Sequence, residues 1–421
     1  MGLSFRLTAV KELKKRKKKL EEVGARRCRR GAPGVAILQI PEDLLTEILL
    51  RLPAKSLMRL KCVSKLWSSL ISSRRFTNLF LKTRQQRRLF MHLVNKENHS
   101  EFALFSSSSP NPYSDRAVSV LKRDLNMPWM LGGEFVSALR GLLCVRVQGR
   151  LLICNLTTKQ LVELPTIIRR TRLGGVLPNN DNNVWDYFCH DPVHDEYKAL
   201  NIVWEESKEE GKVVRSEHHV LVLGPGVSWR CIQSSTAIPP HRPCSQGISI
   251  NGVLYYGACI DNNNTSVVMS FDLRSEEFTL IKLPLDVVMT SSPNLMNYGG
   301  KIAVFDYSVS LLATNGTVDL WTLEDGGKSI WSNKMSLVLP VSQMNFASNN
   351  HLKMQSTTRS GEVRLAKATI VFNQHVFYVT YDFERNMVTS RFKLKPLSAS
   401  IGTCLRTNFW DDTESIMYLE T

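Results

Sequence analysis

His190 and His194 stand four residues apart with Asp191 and Asp195 beside them, a donor set that would suit a divalent metal. A spacing of four turns two imidazoles the same way only on a helix. Asp191-Pro192, between strand-like flanks, predicts a turn instead, so the metal reading is set aside. Gly326-Gly327-Lys328-Ser329 imitates the end of a phosphate-binding loop, but that motif needs a glycine where Thr322 stands. The chain has no Gly-x-Ser-x-Gly elbow to expose a nucleophilic serine. Its nine cysteines, Cys28, Cys62, Cys144, Cys154, Cys189, Cys231, Cys244, Cys259 and Cys404, include no CxxC pair. They read as small buried hydrophobes of a reducing compartment. Trp185, Trp204, Trp229, Trp321, Trp331 and Trp410 read as packing residues, with one or two available to line a pocket. No catalytic residue, metal or cofactor is predicted; the chain is expected to act by binding.

The elements that carry these residues are mostly strands. From about residue 90 the pattern is short strands and polar turns. A loose repeat recurs in "GRLLICNLTTKQLVELP", "SVVMSFDLRSEEFTLIKLP", "TVDLWTLEDGGKSIWSNKMSLVLP" and "VFYVTYDFERNMVTSRFKL". Each is a strand, a turn and a second strand. Hairpins precede several of them, with Asn251-Gly252 and Gly299-Gly300 as strong turn signals. Two hairpins make a four-stranded unit, and about six such units fit in residues 91–421. That predicts a β-propeller-like domain over 90–421, with a β-sandwich as the alternative.

The preceding segment has helical spacing. Pro41, Glu42 and Asp43 read as a helix start, with acids at the positive dipole end. Leu44, Ile48 and Leu52 make one apolar stripe with Leu45 and Leu49 beside it, and Pro53 stops the helix. A second short helix carries Leu57 and Leu60, and a third carries Leu66, Trp67, Leu70 and Ile71. Three short helices bury too little for an independent core, which leaves an apolar face for the rest of the chain or for a partner.

The run "IPEDLLTEILLRLP", then "KSLMRLKCVSKLWSSLISS" and "FTNLFL", resembles an F-box. Pro41, the acidic pair Glu42 and Asp43, Ile48, Leu49, Leu52, Pro53, Val63, Lys65, Trp67 and Phe76 stand where that family has them. Ile40 departs from the usual leucine. The wording is most similar to plant F-box proteins that carry an F-box-associated domain, as are the repeats ending in Leu-Pro. The resemblance implies a small all-α F-box over 37–85 ahead of the mostly all-β domain. It implies a Skp-type adaptor as partner, through it a cullin scaffold, and a substrate-recognition role in a ubiquitin ligase for an unidentified protein target. The adaptor-binding residues expected on this basis are Pro41, Leu44, Ile48, Leu49, Leu52, Pro53, Leu57, Val63 and Trp67.

Charge points to the other function class. The formal net charge is +16. Residues 1–30 hold 12 basic and 3 acidic side chains, and residues 40–90 hold 11 and 3. The remainder is nearly balanced, so the basic character does not extend to the large domain. Residues 1–36 are expected to form a disordered basic tail. Within it Lys14, Lys15, Arg16, Lys17, Lys18 and Lys19 fit a nuclear import signal or a solvated tail. A basic nucleic-acid-binding or nuclear regulatory protein without a ligase role is the alternative. The neutral large domain and the lack of a recognised nucleic-acid module argue against it. No membrane-spanning run or secretory leader is read, and a nuclear or cytoplasmic location is expected.

Overall fold

In the computed structural model the described residues are 40–83, 88–95, 102–107, 119–123, 133–167, 183–207, 212–232, 238–260, 266–285, 287, 294–307, 317–339, 352–357, 361–367, 376–394 and 405–419. The basic run Lys14–Lys19 lies outside them. The chain divides into two compact units, one ending at Arg51 and the other spanning Leu52–Thr421.

The first unit contributes helix α1, Glu42–Leu50. Pro41 caps it with an extended ψ of 141°, and Glu42 and Asp43 occupy its first turn, as the sequence predicts. In the second unit come α2 (Ala54–Leu60), α3 (Lys65–Ser72) and α4 (Arg74–Thr83). The fourth helix goes beyond the three expected. Ser73 explains it: its hydroxyl accepts from the Phe76 amide at 3.2 Å and donates to the Leu70 carbonyl at 2.7 Å. One side chain thus closes α3 and opens α4. Ser64 starts α3 in the same way, accepting from the Trp67 amide at 3.2 Å. Phe76 and Phe80, one helical turn apart on α4, are both fully buried.

The β domain is a five-bladed propeller. The two-sheet sandwich is thereby excluded, and the six units expected become five sheets. Blade one runs from Glu134 to Glu163, blade two from Val184 to Cys231, blade three from Arg242 to Lys282 and blade four from Asn294 to Val338. The fifth sheet has eight strands. It joins two four-stranded sets, one within 352–394 and one made from 88–123 plus Leu405–Asp412, through the parallel pairing of Met387–Leu394 with Ser119–Arg123. Repeat counting cannot see that fusion, because the parallel contact joins strands more than 250 residues apart. The strand Leu405–Asp412 pairs along its whole length with Arg88–Asn95, so the last strand of the domain closes on the first.

The hairpin turns form as read. Asn251 and Gly252 have φ of 50° and 85°, and Gly299 and Gly300 have 55° and 80°. Such positive φ pairs match the twist of the flanking strands.

Specific ties hold each blade to the next. The Arg146 guanidinium reaches Asp186, joining blades one and two. Glu276 receives Lys198 at 2.9 Å and also Arg230, joining two and three. The Trp331 indole donates to the Lys282 carbonyl at 2.7 Å, joining three and four. Gly361 lies so close to the Asn297 carbonyl that a Cβ would sit 2.4 Å from that oxygen, and with φ of 89° only glycine suits this contact between blade four and the fifth sheet. Trp410 stacks between Phe90 and Phe135, with centroids 5.5 and 5.1 Å away, joining the fifth sheet to blade one. Trp204 and Trp321 are buried as well, in keeping with the packing role expected of the tryptophans.

Candidate functional site

The expected adaptor-binding residues fall into two groups. Along α1, Leu45 and Leu49 are buried, Leu49 at 1% exposure. Leu44 and Ile48, one residue earlier in each turn, remain 53% and 51% exposed. A helix with a period of 3.6 presents such adjacent pairs in directions about 100° apart, so burying one pair leaves the other outward. Pro41 is also exposed. In the second unit Leu57 is fully buried and Leu52 and Trp67 are half-buried, whereas Pro53 is exposed. Val63 and Leu66 are 64% and 65% exposed. Leu49 and Leu57 are therefore core residues and offer no surface to a partner. Leu66 is an exposed apolar residue that the expected set omitted; its place beside Val63 in the run before Trp67 was the available signal.

His190, His194, Asp191 and Asp195 do lie on a turn, but they have separate tasks. Asp191 caps its own turn, accepting from the Val193 amide at 2.8 Å and pairing with His194 Nδ1 at 2.7 Å. One carboxylate oxygen each from Asp191 and Glu196 and a ring nitrogen of His194 lie within 4.8 Å of one another, yet both Asp191 oxygens are already engaged by the turn. Asp195, at φ of 53°, faces the helices instead. It accepts from Arg74 Nε at 2.8 Å and Asn78 Nδ2 at 2.6 Å, both on α4, and from His190 Nε2 at 2.8 Å. Arg140, in the blade-one turn, bonds Asn78 Oδ1 at 2.5 Å and the Tyr197 hydroxyl at 3.0 Å.

Burial raises the Asp195 carboxyl, but the hydrogen bonds from Asn78 and His190 and the Arg74 charge outweigh it and hold the group below the usual carboxylate range. Burial, followed by the nearby Arg140 charge, lowers the His190 imidazole, so at neutral pH it is a neutral donor. The four residues fall on a turn, as Asp191-Pro192 predicts; Asp195, braced by His190, joins α4 to the propeller, while Asp191 and His194 close the turn itself. A second link pairs the Lys61 ammonium with the Tyr418 ring, 5.1 Å from its centroid. The segment carrying Tyr418 is laced to blade one by Asn155, which donates to the Met417 carbonyl at 2.9 Å, and by Gln160, which accepts from the Leu419 amide at 2.8 Å.

Gly326-Gly327-Lys328-Ser329 is the bend of a blade-four hairpin. The Lys328 amide donates to Asp325 Oδ1 at 3.1 Å, which spends on the turn a donor that a phosphate would need. On the propeller, a shallow open recess lies between blades one and two. Arg146, Arg150, Asp186, Asn201 and Trp229 line it. The Trp229 indole is oriented by its hydrogen bond to the Pro165 carbonyl at 2.6 Å. It is a mixed surface of one aromatic face and two guanidinium groups, suited to recognition.

Comparison with known proteins places both parts. Residues 37–79 match the family model of the F-box domain, and residues 88–409 match that of the F-box associated beta propeller domain. An F-box protein of Arabidopsis thaliana is 48% identical over 377 residues, covering 89% of this chain and 92% of its own length. A second F-box protein of that plant is 38% identical over 433 residues, and an F-box/kelch-repeat protein is 36% identical over 449, each covering the whole of both chains.

Proposed function

The chain belongs to the F-box proteins that carry an F-box-associated β-propeller, and from that premise we propose that it is the substrate-recognition subunit of a Skp–cullin–F-box ubiquitin ligase. The observation that carries the reading is the exposure of Leu44, Ile48, Val63 and Leu66 within the residues that match the F-box. Leu44 and Ile48 share one face of α1, and Val63 and Leu66 stand three residues apart in the second unit; an apolar pair left in water in each is what a partner's apolar surface would cover. A Skp-type adaptor would cover them and bring the cullin scaffold. The propeller would hold the target protein, and the recess by Trp229 and Arg150 is one surface that could receive it.

In this role the chain breaks and makes no bond. It acts by tethering: a target held on the propeller meets the charged ubiquitin-conjugating enzyme at a raised effective concentration. The link between α4 and Asp195 supports the same reading, since a stiff joint limits the volume a bound target explores. The run Lys14–Lys19 would direct the complex to the nucleus.

The test is reconstitution of the full chain with a purified Skp-type adaptor and cullin scaffold. A stoichiometric complex on gel filtration supports the proposal. A full-length, folded chain that elutes apart from the adaptor overturns it.

A further inference from the structure

By sequence the cysteines are scattered and inert, but in blade three the fold brings two of them together. The inner strand there is interrupted. Arg242–Pro243 and Ile248–Ile250 both pair with Val253–Cys259, with Arg242 opposite Cys259 and Pro243 opposite Ala258. The Cys244 amide continues the ladder, donating to the Gly257 carbonyl at 2.9 Å. This antiparallel register puts Cys244 diagonal to Cys259 on the same face of the sheet. Their sulfurs are in hydrogen-bond contact and are not covalently joined.

Cys259 has donors on both flanks. Arg242 faces it across one ladder and Ser266 across the other, and both hydrogen-bond its sulfur. The bond from Cys244 lowers the Cys259 thiol most. Burial opposes that, and Arg242 and Ser266 lower it further, so Cys259 holds thiolate character while Cys244 keeps the shared proton. A buried thiol with no such donors behaves oppositely: Cys144, also in a strand, is pushed up by its burial.

We propose that Cys244 and Cys259 form a redox-sensitive modification site that closes to a reversible disulfide on exposure to a hydroperoxide. Cys259 sulfur attacks the terminal peroxide oxygen. The O–O bond breaks, a sulfenic acid forms, and the departing oxygen leaves as water or an alcohol after taking up a proton. Cys244 sulfur then attacks the Cys259 sulfur, its proton going to the displaced hydroxide. The S–S bond forms, the S–O bond breaks, and water leaves. Two thiols are oxidised by two electrons and one peroxide is reduced.

Burial of Cys259 restricts the reaction to small oxidants, and Cys244, half-buried, is the sulfur that an external thiol reaches to reverse it. A diagonal pair also begins farther apart than an ideal disulfide. Closing it requires the short Arg242–Pro243 strand to shift, which favours a reducible bond over a permanent one. Closure would staple the interrupted inner strand to its neighbour. It would also remove the anionic partner of Arg242, which ties blade three to Glu206 of blade two at 3.2 Å.

The experiment treats the reduced full chain with substoichiometric hydrogen peroxide, quenches with an alkylating agent under denaturing conditions and maps peptides by mass spectrometry. The expected result is loss of two alkylatable thiols as a Cys244–Cys259 cross-linked peptide, restored by dithiothreitol, while Cys144 stays alkylatable. Cys244→Ser should abolish the cross-link and leave Cys259 as a sulfenic acid trapped by dimedone. Should Cys244→Ser fail to fold, the wild-type cross-link decides alone. Oxidation of the exposed Cys62 and Cys231 while Cys244 and Cys259 remain fully alkylatable overturns the proposal.

Discussion

Replacing Ile48 by glutamate separates docking from folding. Complete burial of an isoleucine or leucine side chain contributes about 1.5–3 kcal/mol. Ile48 is half exposed in the free chain, so about 1–1.5 kcal/mol of that remains to be gained when a partner covers it. Glutamate forfeits this gain and adds about 1–3 kcal/mol for a polar group taken from water without a partner. The sum, about 3 kcal/mol, corresponds to a Kd about a hundredfold weaker. The same substitution should shift the stability of the free chain by no more than about 0.5 kcal/mol, as is usual at an exposed position. Leu49→Glu is the contrasting variant. At 1% exposure it puts a carboxylate into the core and should disrupt the module itself. Calorimetric titration with a purified Skp-type adaptor gives the affinity, and thermal melts give the folding. If Ile48→Glu binds within about twofold of the parent chain, the docking assignment of α1 is wrong.

Asp195→Asn should remove the charge from the joint while asparagine still tolerates the positive φ. Arg74 is more than half exposed, so the expected loss is about 1–2 kcal/mol in urea unfolding, with adaptor affinity unchanged. Acid should weaken blades two and three. Burial pushes His218 down to about 3 and His241 down to about 4, whereas both titrate near 6.5 when unfolded. Their stabilisation is therefore complete above pH 6.5 and is lost as pH falls toward 4 and 3, on the order of 4 kcal/mol for the pair by pH 5. Replacing both with glutamine should flatten the pH dependence of the melting temperature. Deleting residues 1–30 should shift the protein toward the cytosol in fluorescence imaging without changing adaptor binding. A fragment of residues 84–421, which keeps the closing strand Arg88–Asn95, should hold the target and block its ubiquitination. It lacks Arg74 and Asn78, so it should also melt below the full chain.

Much of this molecule is legible along the chain because its signals are local. The start of α1 at Pro41, the turns at Asn251-Gly252 and Gly299-Gly300, and the change from helical to strand spacing each depend on neighbours within a few residues. The F-box pattern is legible for the same reason, since its key positions fall within about 40 consecutive residues. The tertiary structure decided the rest. Periodicity placed Leu44, Leu45, Ile48 and Leu49 on one broad apolar face, and only packing determined that Leu45 and Leu49 go inside while Leu44 and Ile48 stay out. The turn from His190 to Asp195 was legible at Asp191-Pro192, but only the fold brought Arg74 and Asn78, more than a hundred residues earlier, to Asp195. Cys244 and Cys259, unremarkable by spacing, became partners through strand register. The propeller closed with five blades because a parallel pairing merged two four-stranded sets. Local preferences act through bonds and immediate neighbours, so a linear reading recovers them. Long-range pairings depend on which surfaces bury together, and no periodicity encodes that choice.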